Sequence, residues 1–162
     1  VFDVREDGGG LVSALEKIVD PLLPAGDIAT ATYQDGTTKV LVHSDANELN
    51  LPMMVLVNGN TASAAELFTA SLKDFGKAEV IGEQTFGKGI MQNTFELPDG
   101  GAVTLTVATY QTTKGECYHG VGITPDVIME EDYEKVDFDH PNPEQDAQLK
   151  QAMELLQSKI SS

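Results

Sequence analysis

The run Pro52-Met53-Met54-Val55-Leu56-Val57 is nearly unbroken in apolar residues and only as long as a strand. A strand that is apolar at every position, instead of every second one, is covered on both faces. Asn58-Gly59-Asn60 ends it, and from Ala62 to Phe75 the chain is mostly Ala, Leu, Phe and Glu, good helix formers with apolar side chains on more than one face. Gly76 is placed to cap that helix. Strand and helix are both interior elements, and the rest of the chain must be arranged around them.

Upstream, Val1-Phe2-Asp3-Val4 reads as a short buried strand punctuated by Gly8-Gly9-Gly10, after which Leu11, Leu15, Ile18 and Leu22 recur at helical spacing. Pro21, Pro24 and Gly26 close that helix, and Ile28 to Tyr33 with Lys39 to His43 flank Gln34-Asp35-Gly36-Thr37 as a hairpin. Downstream, Ala78 to Ile81 is a further strand, Gly82 to Gly89 a glycine-rich turn, and Ile90 to Leu97 is extended before the turn Pro98-Asp99-Gly100-Gly101. From Ala102 to Tyr110, Val103, Leu105 and Val107 alternate with Thr104, Thr106 and Ala108, the period of a half-buried strand. Residues 126–139 gather acids from Asp126 to Asp139 and read as a solvated surface segment. Asn142 is placed to cap a C-terminal helix over about 143–160, with Leu149, Ala152, Met153, Leu156 and Ile160 on one face.

Among 162 residues, 26 acidic side chains against 10 Lys and Arg give a formal net charge of −16. That charge repels phosphate backbones and argues against nucleic acid as a partner. A chain this long buries roughly 70% of the surface its unfolded form exposes, enough for one core without metal or disulfide staples. Cys117 is the one cysteine and has no intrachain partner. No stretch approaches the ~18 consecutive apolar residues of a spanning helix.

Two segments carry the chemistry. In Asn58-Gly59-Asn60-Thr61-Ala62-Ser63-Ala64-Ala65-Glu66 a buried strand turns into a buried helix, and in Gly82-Glu83-Gln84-Thr85-Phe86-Gly87-Lys88-Gly89-Ile90-Met91-Gln92 a second strand leaves through glycines. A hydroxyl at the first turn of a helix meets converging backbone N–H groups that favour developing negative charge, which makes Ser63 a candidate nucleophile. Read structurally, Ser63 and Glu66 are a Ser-x-x-Glu capping box. A serine nucleophile needs a base, and His43, His119 and His140 lie in no recognisable triad context. Lys88, between Gly87 and Gly89, is the alternative base, since a dry site favours the uncharged amine; read structurally it is a loop-tip lysine in water.

Gly82-Glu83-Gln84-Thr85-Phe86-Gly87-Lys88 also has the spacing of a phosphate-binding loop after a strand. The magnesium-binding Ser/Thr is replaced by Gly89, and the next residues read as a strand instead of the helix whose N-terminus holds phosphate. Nucleotide binding is therefore set aside.

Taken together, four motifs resemble the carboxyl-terminal processing, or tail-specific, serine peptidases: Phe2-Asp3-Val4-Arg5 with Gly9-Gly10-Leu11, the Ser63 segment, the Lys88 segment, and Gly120-Val121-Gly122-Ile123-Thr124-Pro125-Asp126. The resemblance runs from Val1 to about Met129. It implies an α/β fold with a crotonase/ClpP-like core of mixed β-sheet and packed helices. It implies that Ser63 is the nucleophile and that Lys88, 25 positions later, is its general base. Gln92 would orient the lysine, and the backbone N–H groups of Gly9 and Ala64 would form the oxyanion hole. No metal or organic cofactor is implied.

The resemblance further implies an endopeptidase acting on protein or peptide C-termini through an acyl-enzyme, helped by a PDZ domain elsewhere in the full-length chain. By the same resemblance it would work outside the cytoplasm, in the periplasm, at the cell surface or membrane-anchored. On this reading residues 1–162 are a peptidase core domain whose upstream PDZ and first core elements lie outside the sequence. Where the family commonly carries Asn-Pro before its glycine pair, this chain has Glu6-Asp7-Gly8. The alternative is a non-catalytic binding module on the same fold.

Overall fold

The computed structural model describes residues 1–45 and 47–161. In chain order the elements are β1 (Phe2–Asp3), α1 (Val12–Val19), a 3-10 turn (Asp20–Leu22), β2 (Gly26–Tyr33), β3 (Thr38–Ser44), β4 (Met53–Val57), α2 (Ala64–Asp74), β5 (Ala78–Gly82), β6 (Ile90–Glu96), β7 (Ala102–Thr112), β8 (Val127–Ile128) and α3 (Ala147–Ile160). They form a mixed α/β structure with two four-stranded sheets, ordered β1-β4-β5-β8 and β3-β2-β7-β6. The first is parallel throughout and the second antiparallel. Among the described residues no helix is long and apolar enough to cross a membrane.

The unbroken apolar run of β4 has a direct physical reason. Successive strand side chains point to opposite faces, and here each face has its own core. Met53, Val55 and Val57 pack with Val80 and with Leu67, Phe68 and Leu72 of α2. Met54 and Leu56 pack with Ile81 and with Ala152 of α3. Parallel strands covered on both sides need no polar positions. Helix α2 is buried continuously from Ala64 to Leu72, so its N-terminus opens where the parallel strands end.

Several elements differ from the sequence reading. Strand β1 is only Phe2–Asp3 and is not fully buried. Leu11 and Ile18 at α1, and Met153 and Ile160 of α3, are exposed instead of lying on a buried helical face. In β7 the buried residues are Ala108, Tyr110 and Thr112, whereas Val103 and Leu105 are 37% and 50% exposed. The first half of β7 pairs with β6 in a projecting hairpin, and only the second half, from Ala108 to Thr112, also pairs with β2. The apolar alternation therefore lies on the part of the strand with no core beneath it. Helix α3 begins at Ala147, not near residue 143, because Asp146 supplies the capping carboxylate, accepting from Leu149 N–H at 2.8 Å. Asn142 instead accepts from Glu144 N–H in a preceding turn. The acidic stretch is also tied in at its start: β8 joins the parallel sheet beside β5, and Asp126 accepts from Val80 N–H at 2.9 Å.

Asp146 does more than cap α3. Arg5, buried at the end of the β1 segment, donates to both Asp146 carboxylate oxygens at 3.1 and 2.6 Å, to Gln148 at 3.2 Å and to Asp3 at 2.9 and 2.6 Å. This fork clamps the C-terminal helix to the strand that leads into the Gly8–Gly10 turn. Burial disfavours the charged Asp146 carboxylate, but donation from Arg5 and Leu149 N–H, with the charge of Arg5, outweighs it and holds the carboxyl below its ordinary value.

A carboxyl depressed in the native state contributes stability that is present above the unfolded-state value, about 3.9, and is lost as pH falls through the lower native value. Arg5→Ala leaves two carboxylates facing no cation and should cost about 3–5 kcal/mol in urea unfolding at neutral pH. The stability gap between wild type and Asp146→Asn should narrow below about pH 4. A gap unchanged between pH 7 and 3 would contradict this account of the clamp.

Candidate active site

Ser63 sits at the junction of the β4 turn and α2, with φ 58° and ψ −120°. Among the described residues it and Glu6 alone combine a side chain with positive φ. A non-glycine residue in this region is strained by roughly 1–3 kcal/mol and persists only where its surroundings over-determine it.

Glu66 is the main restraint. It lies one turn into α2 and has no exposed surface. Its Oε2 accepts from the backbone N–H of Ser63 at 3.0 Å and of Lys88 at 2.7 Å. Its Oε1 accepts from the Gly87 N–H at 2.7 Å and the Thr85 hydroxyl at 2.6 Å. A carboxylate offers about four lone-pair positions, and these four donors fill them. The serine turn and the lysine loop, which enter from different strands, are thereby fixed to one another.

Behind the lysine loop lies the Gly120–Asp126 segment. The Thr85 hydroxyl accepts from Ile123 N–H at 2.7 Å, Thr85 N–H donates back to the Ile123 carbonyl at 3.2 Å, and Gly120 N–H donates to the Gly87 carbonyl at 2.8 Å. Gly87 has φ +91°, and a Cβ there would lie 2.9 Å from the Gly122 nitrogen. The glycine at this position thus permits the two loops to touch.

Gly9 approaches the serine turn from the other side. A Cβ on Gly9, whose φ is +88°, would lie 2.6 Å from both the Ala62 carbonyl oxygen and the Ala64 nitrogen. Ala64 N–H is among the helix-start donors that have no intrahelical acceptor, so the backbone of Gly9 and that amide meet beside Ser63. In the resting arrangement Gly9 N–H donates to the Asp7 carboxylate at 2.8 Å. Glu6 pins the same turn: its carboxylate accepts from Asn58 at 2.6 Å and from Asn60 at 2.8 and 3.0 Å. An apolar cavity of about 320 Å³ opens next to Gly9 and Ala64, lined by Phe2, Leu11, Leu15, Ala65 and Phe68 among others.

The Ser63 hydroxyl lies 3.5 Å from the Tyr110 hydroxyl, which itself donates to the Lys88 carbonyl at 2.8 Å. The Lys88 side chain is half-buried, and its amine has no hydrogen-bond or ion-pair partner among the described residues. The main chains of Ser63, Lys88, Gly9 and Ala64 are thus brought together, while among the described residues no hydrogen bond joins the Lys88 amine to the Ser63 hydroxyl. Gln92 is exposed on β6, beyond the irregularity at Met91 and opposite Thr106 of β7, and its side chain hydrogen-bonds no described residue.

The sequence model of peptidase family S41 matches residues 1–129. The chain belongs to this family. It is 35% identical over 156 residues to a carboxyl-terminal-processing protease of Synechocystis sp., covering 96% of this chain and 36% of that protein. It is 38% identical over 132 residues to a chloroplastic C-terminal processing peptidase of Tetradesmus obliquus, covering 80% of this chain and 28% of that one. The solved structure of a photosystem II D1 C-terminal processing protease superposes with a TM-score of 0.73 at 38% identity, over 79% of this chain and 33% of that chain. This chain therefore spans about a third of the length of these S41 relatives.

Sequence reading treats Glu66 only as half of a capping box and gives no role to Glu6, Asp7 or Tyr110. A glutamate inside an otherwise apolar, continuously buried helix was the available signal, since a buried carboxylate must find donors. The substitution Glu66→Gln keeps the shape of the side chain but turns an amide N–H₂ group, in place of an acceptor oxygen, toward backbone donors. It should lower the unfolding free energy by about 2 kcal/mol or more. A change within about 0.5 kcal/mol, the range of an ordinary surface substitution, would contradict the bridging role.

Proposed function

We propose that this S41 chain is the catalytic core of a serine endopeptidase that cleaves proteins near their C-termini, with Ser63 as nucleophile and Lys88 as general base. The observation that carries the reading is the shared Glu66 carboxylate, which holds the backbone of Ser63 and of Lys88 on the same oxygen. That bridge links the two residues through their main chains and leaves both reactive side chains free to move.

On this reading the uncharged Lys88 amine takes the Ser63 proton as Oγ attacks the scissile carbonyl carbon. The oxyanion is received by the N–H groups of Gly9 and Ala64. Lys88 then passes the proton to the departing amine as the C–N bond breaks, leaving an ester on Ser63. Water attacks that ester, giving its proton to Lys88, and the proton returns to Ser63 as the acid leaves. Gln92 orients the lysine once β6 is engaged. Losing one oxyanion donor costs roughly 100- to 1000-fold in turnover in a serine peptidase, so exchange of the Gly9 N–H from Asp7 to substrate belongs to the cycle. The apolar cavity beside Gly9 suits an apolar substrate side chain next to the scissile bond.

We read residues 1–162 as one peptidase core domain of crotonase/ClpP-like type, the full-length polypeptide adding a PDZ domain for substrate C-termini and working outside the cytoplasm. In that full-length protein, Ser63→Ala and Lys88→Ala should each abolish cleavage of a peptide substrate while leaving the thermal melt unchanged within a few degrees. A serine-directed fluorophosphonate should label Ser63 in wild type. Full cleavage by either variant would overturn the peptidase reading, and absence of labelling would favour a non-catalytic binding module on the same fold.

A further inference from the structure

Tyr110 and Tyr118 pack edge to face, with ring centroids 6.1 Å apart and planes at 76°. Both rings are buried, but their hydroxyls differ. The Tyr118 hydroxyl has no hydrogen-bond partner among the described residues. The Tyr110 hydroxyl donates to the Lys88 carbonyl at 2.8 Å and lies 3.5 Å from Ser63 Oγ. Whereas Glu66 binds both residues through their backbone amides, Tyr110 is, among the described residues, the side chain that contacts the hydroxyl of the proposed nucleophile together with the main chain of the proposed base.

Building on the peptidase reading, we propose that the Tyr110 hydroxyl is a positioning group of the reaction, fixing the Lys88 main chain and setting where the Ser63 hydroxyl rests. A phenol has one hydrogen. Because that hydrogen goes to the Lys88 carbonyl, only the oxygen lone pairs face Ser63, and toward Tyr110 the serine is the donor. At 3.5 Å this contact is at the outer limit of a hydrogen bond. It holds Ser63 in a defined rotamer and is weak enough to be given up when the proton moves toward Lys88. Burial, opposed in part by the contact with Ser63, pushes the Tyr110 phenol above its ordinary value. The hydrogen therefore stays on the phenol at working pH and the link to Lys88 is maintained.

The geometry separates this role from simple packing, because the neighbouring tyrosine provides an internal control. Tyr110→Phe and Tyr118→Phe each remove one hydroxyl from the same aromatic pair and leave both rings in place. In the full-length protein, Tyr110→Phe should lower kcat about tenfold to a hundredfold, the scale of a misplaced catalytic group, with KM within about threefold and a matching loss in the rate of fluorophosphonate labelling. Tyr118→Phe should leave both parameters at wild-type values and melt at or above the wild-type temperature, since it deletes a buried hydroxyl without a partner.

Equal kcat for wild type and Tyr110→Phe, or equal losses in both variants, would overturn the positioning role. Ser63→Ala is measured alongside. If it is inactive while Tyr110→Phe matches wild type, the role of Tyr110 fails and the peptidase reading stands. If Ser63→Ala still cleaves, the peptidase reading itself fails.

Discussion

The buried carboxylate of Glu66 is the point at which two otherwise separate pieces of chain become one site. The serine turn follows β4 and the lysine loop follows β5, so the parallel pairing of those strands brings the two loops to the same end of the sheet without setting their relative position. Glu66 sets it with four accepted hydrogen bonds, three of them from backbone amides. Hydrogen bonds to a charged acceptor are roughly twice as strong as neutral ones, and burial raises the cost of leaving any of the donors unpaired. The same carboxylate thus helps to retain Ser63 in its positive-φ conformation.

Around this rigid point the reactive groups are each engaged elsewhere or unengaged. Gly9 N–H rests on Asp7, the Ser63 hydroxyl faces Tyr110, and the Lys88 amine has no partner among the described residues. On the proposed peptidase reading, a substrate carbonyl would exchange existing hydrogen bonds instead of assembling a site from disordered parts. Main-chain positions are fixed and side-chain contacts are loose, a division that would suit the proposed dyad of Ser63 and Lys88, whose proton must move. The Arg5 fork to Asp146 extends the rigid part, since it anchors the strand before the glycine turn to the C-terminal helix.

Much of this was legible in the sequence. The continuous apolar run of β4 and the many-sided apolar helix α2 announced a buried strand-to-helix turn, and the four motifs announced the family and the two segments that Glu66 joins. What was hidden depended on long-range partners. Tyr110 reads as the end of an alternating strand, and only the pairing of β7 with β2 shows that its face, not that of Val103 and Leu105, is buried. Asp146 reads as one more acid near the C-terminus until Arg5, 141 residues earlier, is seen to bind it. Asn142 and Asp146 are both good caps by type, and the choice between them is made by that tertiary contact. Glu66 was visible as a capping residue, but local pattern gives no sign of the lysine loop that occupies the rest of its carboxylate.

Amide hydrogen exchange at Ser63, Gly87 and Lys88 in the full-length protein tests the central claim most directly. If one carboxylate binds all three, their amides open together, with opening free energies equal within about 0.5 kcal/mol and well above those of fraying loops. Rapid exchange at Gly87 and Lys88 alongside a protected Ser63 would contradict the account, because the two segments would then be held by different parts of the molecule.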